Sequence, residues 1–352
     1  MPQVLSQPAR EGEVQVPRPR ELGYAMAAEW EPHSRCWMAW PARAELWGTH
    51  LEAARAAYAR LAATIARFEP VTMIVRPDLL ASASLQLPRG VSVLPLEHDD
   101  SWMRDVAPAF LRRPGGGLAA VCFRFNGWGE LWRPYAEDAR IARRIADHLG
   151  IPSYESELVL EGGAISVDGE GTALLCEPSV LDPARNPGVT RGEVERELRE
   201  LLGVERAIWL PAGLVDDETK GHVDNVARFL RPGLVLLASD EPGGPHAQAL
   251  EADAEVLERA RDARGRALDI VRVPMPQPRR SEDGRLLTTS YVNFCFANGA
   301  LLLPAFDDPA DAVAYRTLSA LFPDRSVIQV EALDIVQGGG GIHCVTREQP
   351  AA

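Results

Sequence analysis

The chain has 352 residues, 46% hydrophobic and 25% charged, a composition typical of a globular protein with a sizeable core. Its net charge of −13 argues against a nucleic-acid partner, because no basic surface is expected to neutralise phosphates. The same charge favours small cationic ligands, although solubility alone would also account for it.

The five cysteines form an odd set without any C-x-x-C pair, which argues against a disulfide framework and against a structural zinc site. Residues 1–20 contain charges and prolines but no apolar run, so we expect a flexible tail rather than a signal peptide. No stretch approaches the roughly 20 apolar residues of a membrane span. The protein is therefore expected to be soluble and cytoplasmic, with no membrane partner.

Amphipathic spacing predicts five helices beyond the tail. Thr49 with Glu52, and Thr190 with Glu193, predict reciprocal caps at two of the helix starts. In chain order, the predicted helices cover 51–68, 138–149, 190–203, 250–265 and 308–321.

Nine short runs rich in Val, Ile and Leu predict buried strands, although periodicity alone leaves buried helix fragments open for some of them. These runs are Val71–Val75, Val91–Leu94, Ala119–Phe123, Thr172–Cys176, Ala207–Leu210, Leu234–Ala238, Leu268–Val273, Ala300–Leu303 and Ser326–Val330.

Five polar motifs, three of which contain glycine, follow the strand–helix–strand stretches. Their markers Asp105, Glu161, His222, Asn293 and Cys344 are separated by 56, 61, 71 and 51 residues. A similar interval repeated four times is typical of a circular array of structural units, although the repeats share no obvious sequence identity. Such an array would have five units, each delivering one polar loop to a central site.

The densest motif is Gly338–Cys344, in which four consecutive glycines precede Ile-His-Cys. Glycines let a ligand approach the main chain closely, so the Cys344 thiol is a candidate nucleophile. The alternative is a small buried hydrophobe after a turn. The other four cysteines lie among bulky apolar neighbours and are interpreted as structural.

Two further motifs supply acids and bases. After Gly221, a strand would place His222 and Asp224 on one face, pairing a proton shuttle with a carboxylate; the alternative is a solvated acidic turn. The segment Asp99–Asp105 combines three carboxylates with Trp102, a combination that recognises a planar cation. Its alternative is a surface turn with an internal ion pair.

These motifs resemble those of the agmatine deiminases, with the related bacterial peptidylarginine deiminases, in the guanidine-modifying pentein superfamily. The resemblance spans nearly the whole chain. Its matching segments are Ala28–His33, Trp37–Pro41, Trp102–Asp105, Phe125–Gly129, Leu160–Gly163, Gly221–Asn225, Ser290–Phe294 and Ile342–Thr346.

The resemblance implies an α/β fold, a five-bladed α/β propeller of ββαβ-type units in one catalytic domain, residues 21–352. It also implies that Cys344 attacks the guanidinium of agmatine and that His222 is the general acid and base. Asp105 and Asp224 would grip the cation. The products would be N-carbamoylputrescine and ammonia, formed through an amidino-cysteine without a metal or an organic cofactor. A homo-oligomer is possible.

Glu161 matches the acid of the family's E-G-G turn and is expected to orient the substrate or His222, while Trp102 and Glu218 are candidate substrate contacts. The chain has Gly341 where the family usually has asparagine, and Lys220 where an acid is common; Lys220 could repel an ammonium tail. Two alternatives stay open: deimination of peptidylarginine or another guanidino compound, and a non-catalytic pentein that only binds.

Overall fold

A computed structural model describes residues 17–282 and 284–352. Most of the expected tail, residues 1–20, lies outside the described residues, and its last two residues begin a 3-10 turn at Pro19–Leu22. The described ranges form a mixed α/β structure with seventeen strands and eleven α-helices. Among these helices, none has the length and apolar character needed to cross a bilayer.

Strands β1 to β17 span, in chain order, Ala25–Met26, His33–Ala39, Val71–Val75, Val91–Pro95, Ala109–Arg112, Leu118–Arg124, Ser153–Val159, Ile165–Val167, Thr172–Cys176, Arg206–Leu210, Ala227–Arg231, Leu234–Ser239, Asp269–Pro274, Cys295–Ala297, Ala300–Ala305, Ser326–Glu331 and Arg347–Pro350. Helices α1 to α11 span Ala44–Trp47, Leu51–Ile65, Leu80–Gln86, Met103–Val106, Gly127–Glu130, Ile141–Leu149, Glu177–Val180, Arg191–Leu202, Ala247–Arg259, Ala310–Leu321 and Leu333–Val336.

The strands form five sheets, with the orders β1-β5-β6-β7, β10-β9-β8, β11-β12-β13, β14-β15-β16 and β17-β2-β3-β4. In each sheet one strand, namely β6, β9, β12, β15 or β2, pairs antiparallel with one neighbour and parallel with the other. A parallel pair requires a crossover connection. The long helices α6, α8, α9, α10 and α2 provide these five crossovers, and they are the five helices that the sequence predicts.

All nine predicted strands are confirmed, with ends that differ by at most two residues. The predicted cap of α8 is also confirmed: Glu193 donates its amide to Thr190 Oγ1 at 3.3 Å and accepts the Thr190 amide at 2.8 Å. This reciprocal pair satisfies donors that a helix start leaves free.

Two predicted helix ends are wrong. Thr49 lies in a 3-10 turn and does not cap α2, because the N-cap position falls one residue later, at His50. Glu52 accepts a hydrogen bond from the Arg55 guanidinium at 2.7 Å. Helix α9 ends at Arg259 rather than near Gly265. The glycine belongs to a separate turn in which the carboxylate of Asp262 accepts backbone amides.

One sheet joins an N-terminal strand to the C-terminal strand and helps to position the loops of the site. Strand β2 carries the fully buried Trp37 and pairs with β17, so the first and last segments of the chain share one sheet. The five polar motifs follow the parallel strands β4, β7, β10, β13 and β16. Each sheet therefore sends one polar loop toward the region described next.

Candidate active site

A cavity enclosing about 420 Å³ of atom-free space lies where these loops meet. It combines a thiol, an imidazole, carboxylates and three indole rings with a glycine-rich floor. The lining residues are Trp102, Asp105, Trp128, Leu131, Trp132, Glu218, Thr219, His222, Asn225, Gly338, Gly339, Gly340 and Cys344.

Cys344 lines this cavity three residues before β17. The Asn293 amide Nδ2 donates to the Cys344 sulfur at 3.3 Å, and Asp224 Oδ2 lies 3.6 Å from the same sulfur. Burial raises the pKa of the Cys344 thiol well above its usual value, and the charges of Asp224 and Asp105 raise it further. The thiol is therefore protonated at neutral pH until positive charge arrives beside it.

The glycine loop is built for close packing around the nucleophile. A Cβ at Gly340 would lie 2.6 Å from the Trp102 ring, and one at Gly341 would lie 2.2 Å from Asn293 Oδ1. Real Cβ atoms do not approach other atoms so closely, so a larger residue at either position requires its neighbour to move. Close packing against these protein side chains explains the two glycines, whereas the expected approach of a ligand to the main chain stays a prediction.

The predicted strand after Gly221 is wrong. His222 precedes a 3-10 turn, Val223–Asn225, because the Asp217 carboxylate accepts the amides of Gly221 and His222 and bends the chain there. The turn still brings the two side chains to one place. A Cβ at Gly163 would lie 2.6 Å from His222 Nδ1 and 3.1 Å from Asp224 Oδ2.

His222 lies between two carboxylates. Its Nδ1 is 3.8 Å from Asp105 Oδ2, and its Nε2 is 3.7 Å from Glu161 Oε2. Burial would lower the pKa of His222, but the Asp105 and Glu161 charges outweigh it and raise the pKa to about 9. The imidazole is therefore protonated at neutral pH, unlike the nearby thiol.

The guanidinium of Arg185 keeps the Glu161 carboxylate ionised. Arg185 donates its Nε to Glu161 Oε1 at 2.8 Å, and both side chains are buried. Burial would raise the pKa of Glu161, but the Arg185 guanidinium and His222 lower it to about 2. Glu161 thus faces His222, and its position suits orienting the imidazole rather than contacting a ligand.

Asp105 and Asp224 are fixed by different partners. The Trp128 indole donates to Asp105 Oδ2 at 2.9 Å, and the Gly163 amide donates to Asp105 Oδ1 at 3.0 Å. Asp224 Oδ2 lies 2.8 Å from His343 Nδ1. Burial would raise the pKa of Asp224, but the His343 hydrogen bond and charge lower it, so the carboxylate beside the thiol stays ionised.

Trp102 and Glu218 both line the cavity. The Trp102 ring stacks on Trp47 with centroids 5.7 Å apart and an interplanar angle of 17°, which restrains the orientation of the ring. Glu218 pairs with Arg285, so its charge is partly compensated. Lys220, expected to repel a cationic tail, instead donates to Asp182 at 2.8 Å, and its charge is paired outside the cavity lining.

Several site residues were not predicted. Trp128 holds Asp105, Asn293 contacts the sulfur, and Arg185 compensates Glu161. His343 bridges Asp224 and Glu29, whose Oε2 lies 2.9 Å from His343 Nε2. All but Arg185 lie within the motifs that carry the family resemblance, so proximity to those motifs was the available signal.

Known proteins resemble this chain over almost its whole length. The model of the Porphyromonas-type peptidyl-arginine deiminase family matches residues 25–350. Agmatine deiminase of Stutzerimonas stutzeri strain A1501 is 43% identical over 95% of this chain and 97% of its own length. The agmatine deiminase of Pseudomonas aeruginosa strain LESB58 is 41% identical over 95% of this chain and 97% of its own length.

A solved structure gives the same answer for the fold. The structure of agmatine deiminase of Enterococcus faecalis, described as catalysing its reaction, superposes with a TM-score of 0.92 at 30% identity, covering 96% of this chain and 98% of that one. The matched residues 25–350 include every polar loop of the cavity. The chain is therefore a member of the Porphyromonas-type peptidyl-arginine deiminase family.

Proposed function

We propose that this chain hydrolyses the guanidinium of agmatine to N-carbamoylputrescine and ammonia, with Cys344 as the nucleophile. The observation that carries the proposal is the meeting of three loops at one cavity. The Cys344 thiol, the His222 imidazole and the Asp105 carboxylate line it, and the Asp224 carboxylate lies 3.6 Å from the thiol sulfur. The names of relatives more than 40% identical over nearly the whole chain support agmatine as the substrate.

Charge selects the substrate class in this proposal. Asp224 is ionised beside the thiol, and Asp105 has both carboxylate oxygens held by N–H donors. A planar guanidinium offers in-plane N–H groups that suit such paired carboxylates, and the fixed Trp102 ring offers a flat apolar contact.

The cation also activates the nucleophile. A guanidinium between Asp105 and Asp224 brings the positive charge that the buried thiol lacks, which favours loss of the Cys344 proton. The sulfur then attacks the central carbon and a tetrahedral adduct forms. His222 gives its proton to one nitrogen and the C–N bond breaks; the leaving ammonia takes up the former thiol proton and departs as ammonium, so His222 is left neutral.

The second half-reaction consumes water. A water molecule adds to the carbon of the amidino-cysteine, with His222 accepting a proton from it. The C–S bond breaks, the urea product leaves, and Cys344 recovers a proton. Over both steps one guanidinium and one water give one urea and one ammonium ion, which balances atoms and charge. Glu161, which the Arg185 guanidinium keeps ionised, keeps the His222 ring oriented in both half-reactions.

The test is a parallel assay of agmatine, free arginine and a peptide ending in arginine, with ammonia release measured for each. We expect agmatine to give the highest kcat/KM; preference for the peptide would replace agmatine by peptidylarginine. Cys344→Ser should abolish turnover, and full activity in that variant would refute the mechanism. Enzyme quenched during turnover should carry a substrate-derived mass on Cys344, whereas neither turnover nor adduct would indicate a binding protein.

We further propose that the five sheets are the blades of a five-bladed α/β propeller within one domain, residues 21–352. The shared pattern of antiparallel and parallel pairs supports this, as does the pairing of β17 with β2, which joins the last blade to the first part of the chain. A crystal structure whose neighbouring sheets are not related by about one-fifth of a turn would refute the arrangement. A single calorimetric transition would support one domain.

A further inference from the structure

A second cavity, with about 350 Å³ of atom-free space, shares the lining residue Asp105 with the first. We call it the rear crevice and define it by Asp105, Ala107, Phe123, Glu161, Gly162 and Arg347, which are among its lining residues. Asp105 borders both cavities, so this one residue belongs to the wall between them. Ala107 and Phe123 are half-buried, whereas Arg347 and Glu161 are buried.

Arg347 has an unused donor in this crevice. Its side chain is 2% exposed, and its Nε donates to the Pro108 carbonyl at 3.1 Å. Its Nη1 has no hydrogen-bond partner among the described residues. A Cβ at Gly162 would lie 3.0 Å from this Nη1, so the guanidinium reaches the loop that carries Glu161. A buried N–H of this kind requires an acceptor.

The charges of the crevice select the kind of acceptor. Asp105 and Glu161 disfavour an anion, and the guanidinium of Arg347 disfavours a metal ion. Water satisfies all of these groups, since it accepts from a guanidinium and donates to carboxylate or carbonyl oxygens. The crevice is polar, and the space within it that a water-sized sphere can enter is enough to hold a water molecule.

The proposed function gives this water a role. After ammonia has left, the rest of the substrate is still bound to Cys344, and its aliphatic tail occupies the first cavity, which Cys344 lines. Hydrolysis then needs a water molecule close to His222 and Asp105, and Asp105, which lies 3.8 Å from His222 Nδ1, lines the rear crevice. Resting on that function, we infer that the rear crevice is a water site that supplies the water which hydrolyses the Cys344 adduct.

The step that the crevice serves is the second half-reaction alone. Water adds its oxygen to the amidino carbon, the C–S bond breaks, one water proton returns to sulfur, and the other leaves as a proton. Formation of the adduct consumes no water. Obstruction of the crevice therefore slows the second product and leaves the first release of ammonia unchanged.

The experiment fills the crevice stepwise from its half-buried end with Ala107→Val, Ala107→Leu and Ala107→Phe. Rapid quenching measures ammonia, N-carbamoylputrescine and the fraction of enzyme that carries the adduct by intact mass. In every Ala107 variant that folds, we expect the first ammonia per active site to be released at the same rate as in the unmodified chain. N-carbamoylputrescine formation should slow progressively, by about tenfold or more for the largest side chain that folds, with a matching rise in the adduct.

Two further variants complete the design. Val313→Phe adds an aromatic ring to an exposed position of α10 and should leave both rates unchanged. Arg347→Lys keeps the charge but removes the Nη1 donor, and it should raise the adduct fraction in the same direction as the Ala107 series.

The outcomes separate the two proposals. An unchanged adduct fraction in Ala107 variants that retain the full ammonia burst would overturn the water site. If the unmodified chain released no ammonia from agmatine, the proposed function itself would fail.

Discussion

Gly163 offers a direct test of the site geometry, because one added methyl group reaches three of the proposed catalytic side chains. A Cβ there would lie 2.6 Å from His222 Nδ1, 3.0 Å from Asp105 Oδ1 and 3.1 Å from Asp224 Oδ2. The backbone of Gly163 does not lie in the left-handed region, so alanine adds no backbone strain. Gly163→Ala is therefore a purely steric change.

The size of the effect follows from these distances. An ordinary contact begins at 3.4 Å, so the His222 ring must move by about 0.8 Å to accept the methyl group. Misplacement of a catalytic group by about 1 Å costs roughly 100-fold in rate. Overpacking costs about 1–3 kcal/mol of stability, which a folded domain can tolerate. We expect kcat/KM for agmatine to fall about 100-fold while the protein remains folded.

The assay is initial-rate ammonia release, with thermal unfolding recorded on the same preparations. Gly192→Ala in α8 is the matched control, since a Cβ there meets nothing within 4 Å. This control should keep its kcat/KM and gain about 0.5–1 kcal/mol of stability. Equal kcat/KM values for the two alanine variants would refute the placement of Gly163 among the catalytic side chains.

Asp105→Asn and Asp224→Asn should each lower kcat/KM for agmatine by about 10²–10³, because one partner of a buried charge pair is lost; a decrease confined to one of them would restrict guanidinium binding to that residue. The pKa of His222 is about 9 in the folded protein and 6.5 in the unfolded chain. Protonated His222 therefore stabilises the fold fully below pH 6.5, and this contribution is lost as the pH rises through 9. Urea unfolding should show about 2–3 kcal/mol more loss between pH 7 and 10 for the unmodified chain than for His222→Gln. Asn293→Ala removes the donor to the sulfur, so alkylation of Cys344 by iodoacetamide at pH 8 should slow about tenfold, and an unchanged rate would leave Asn293 without influence on the thiol.

The predictable part of the fold is the part determined locally. Helix α8 begins at a reciprocal cap and ends at a glycine in the left-handed conformation, so its bounds are readable from Thr190, Glu193 and Gly203. The nine predicted strands are continuous apolar runs. Strand β17, by contrast, consists of Arg347–Pro350 and has no apolar residue other than Pro350. It forms because it pairs with β2, where Gln349 accepts the Trp37 indole at 3.0 Å.

The same distinction applies to the candidate site. The thiol, the imidazole and both carboxylates were predicted, because each lies in a short polar motif that matches the family. The residues that adjust their charges were not predicted. Arg185 lies far from those motifs in sequence, and only folding brings it to 2.8 Å from Glu161. Lys220 was misinterpreted for the same reason, since Asp182, its partner, is 38 residues away.

The buried charges around the nucleophile also explain why the two ends of the chain depend on each other. The Cys344 carbonyl accepts the Arg104 amide at 3.0 Å, and the Arg104 guanidinium lies 2.7 Å from Glu348 and 3.6 Å from Glu29. Glu29 in turn contacts His343, the residue beside the nucleophile. Because a buried charge without its partner is costly, these ion pairs form only when the N-terminal segment, the Asp99–Asp105 loop and β17 are all in place. The catalytic arrangement is therefore completed by the same contacts that join the ends of the chain.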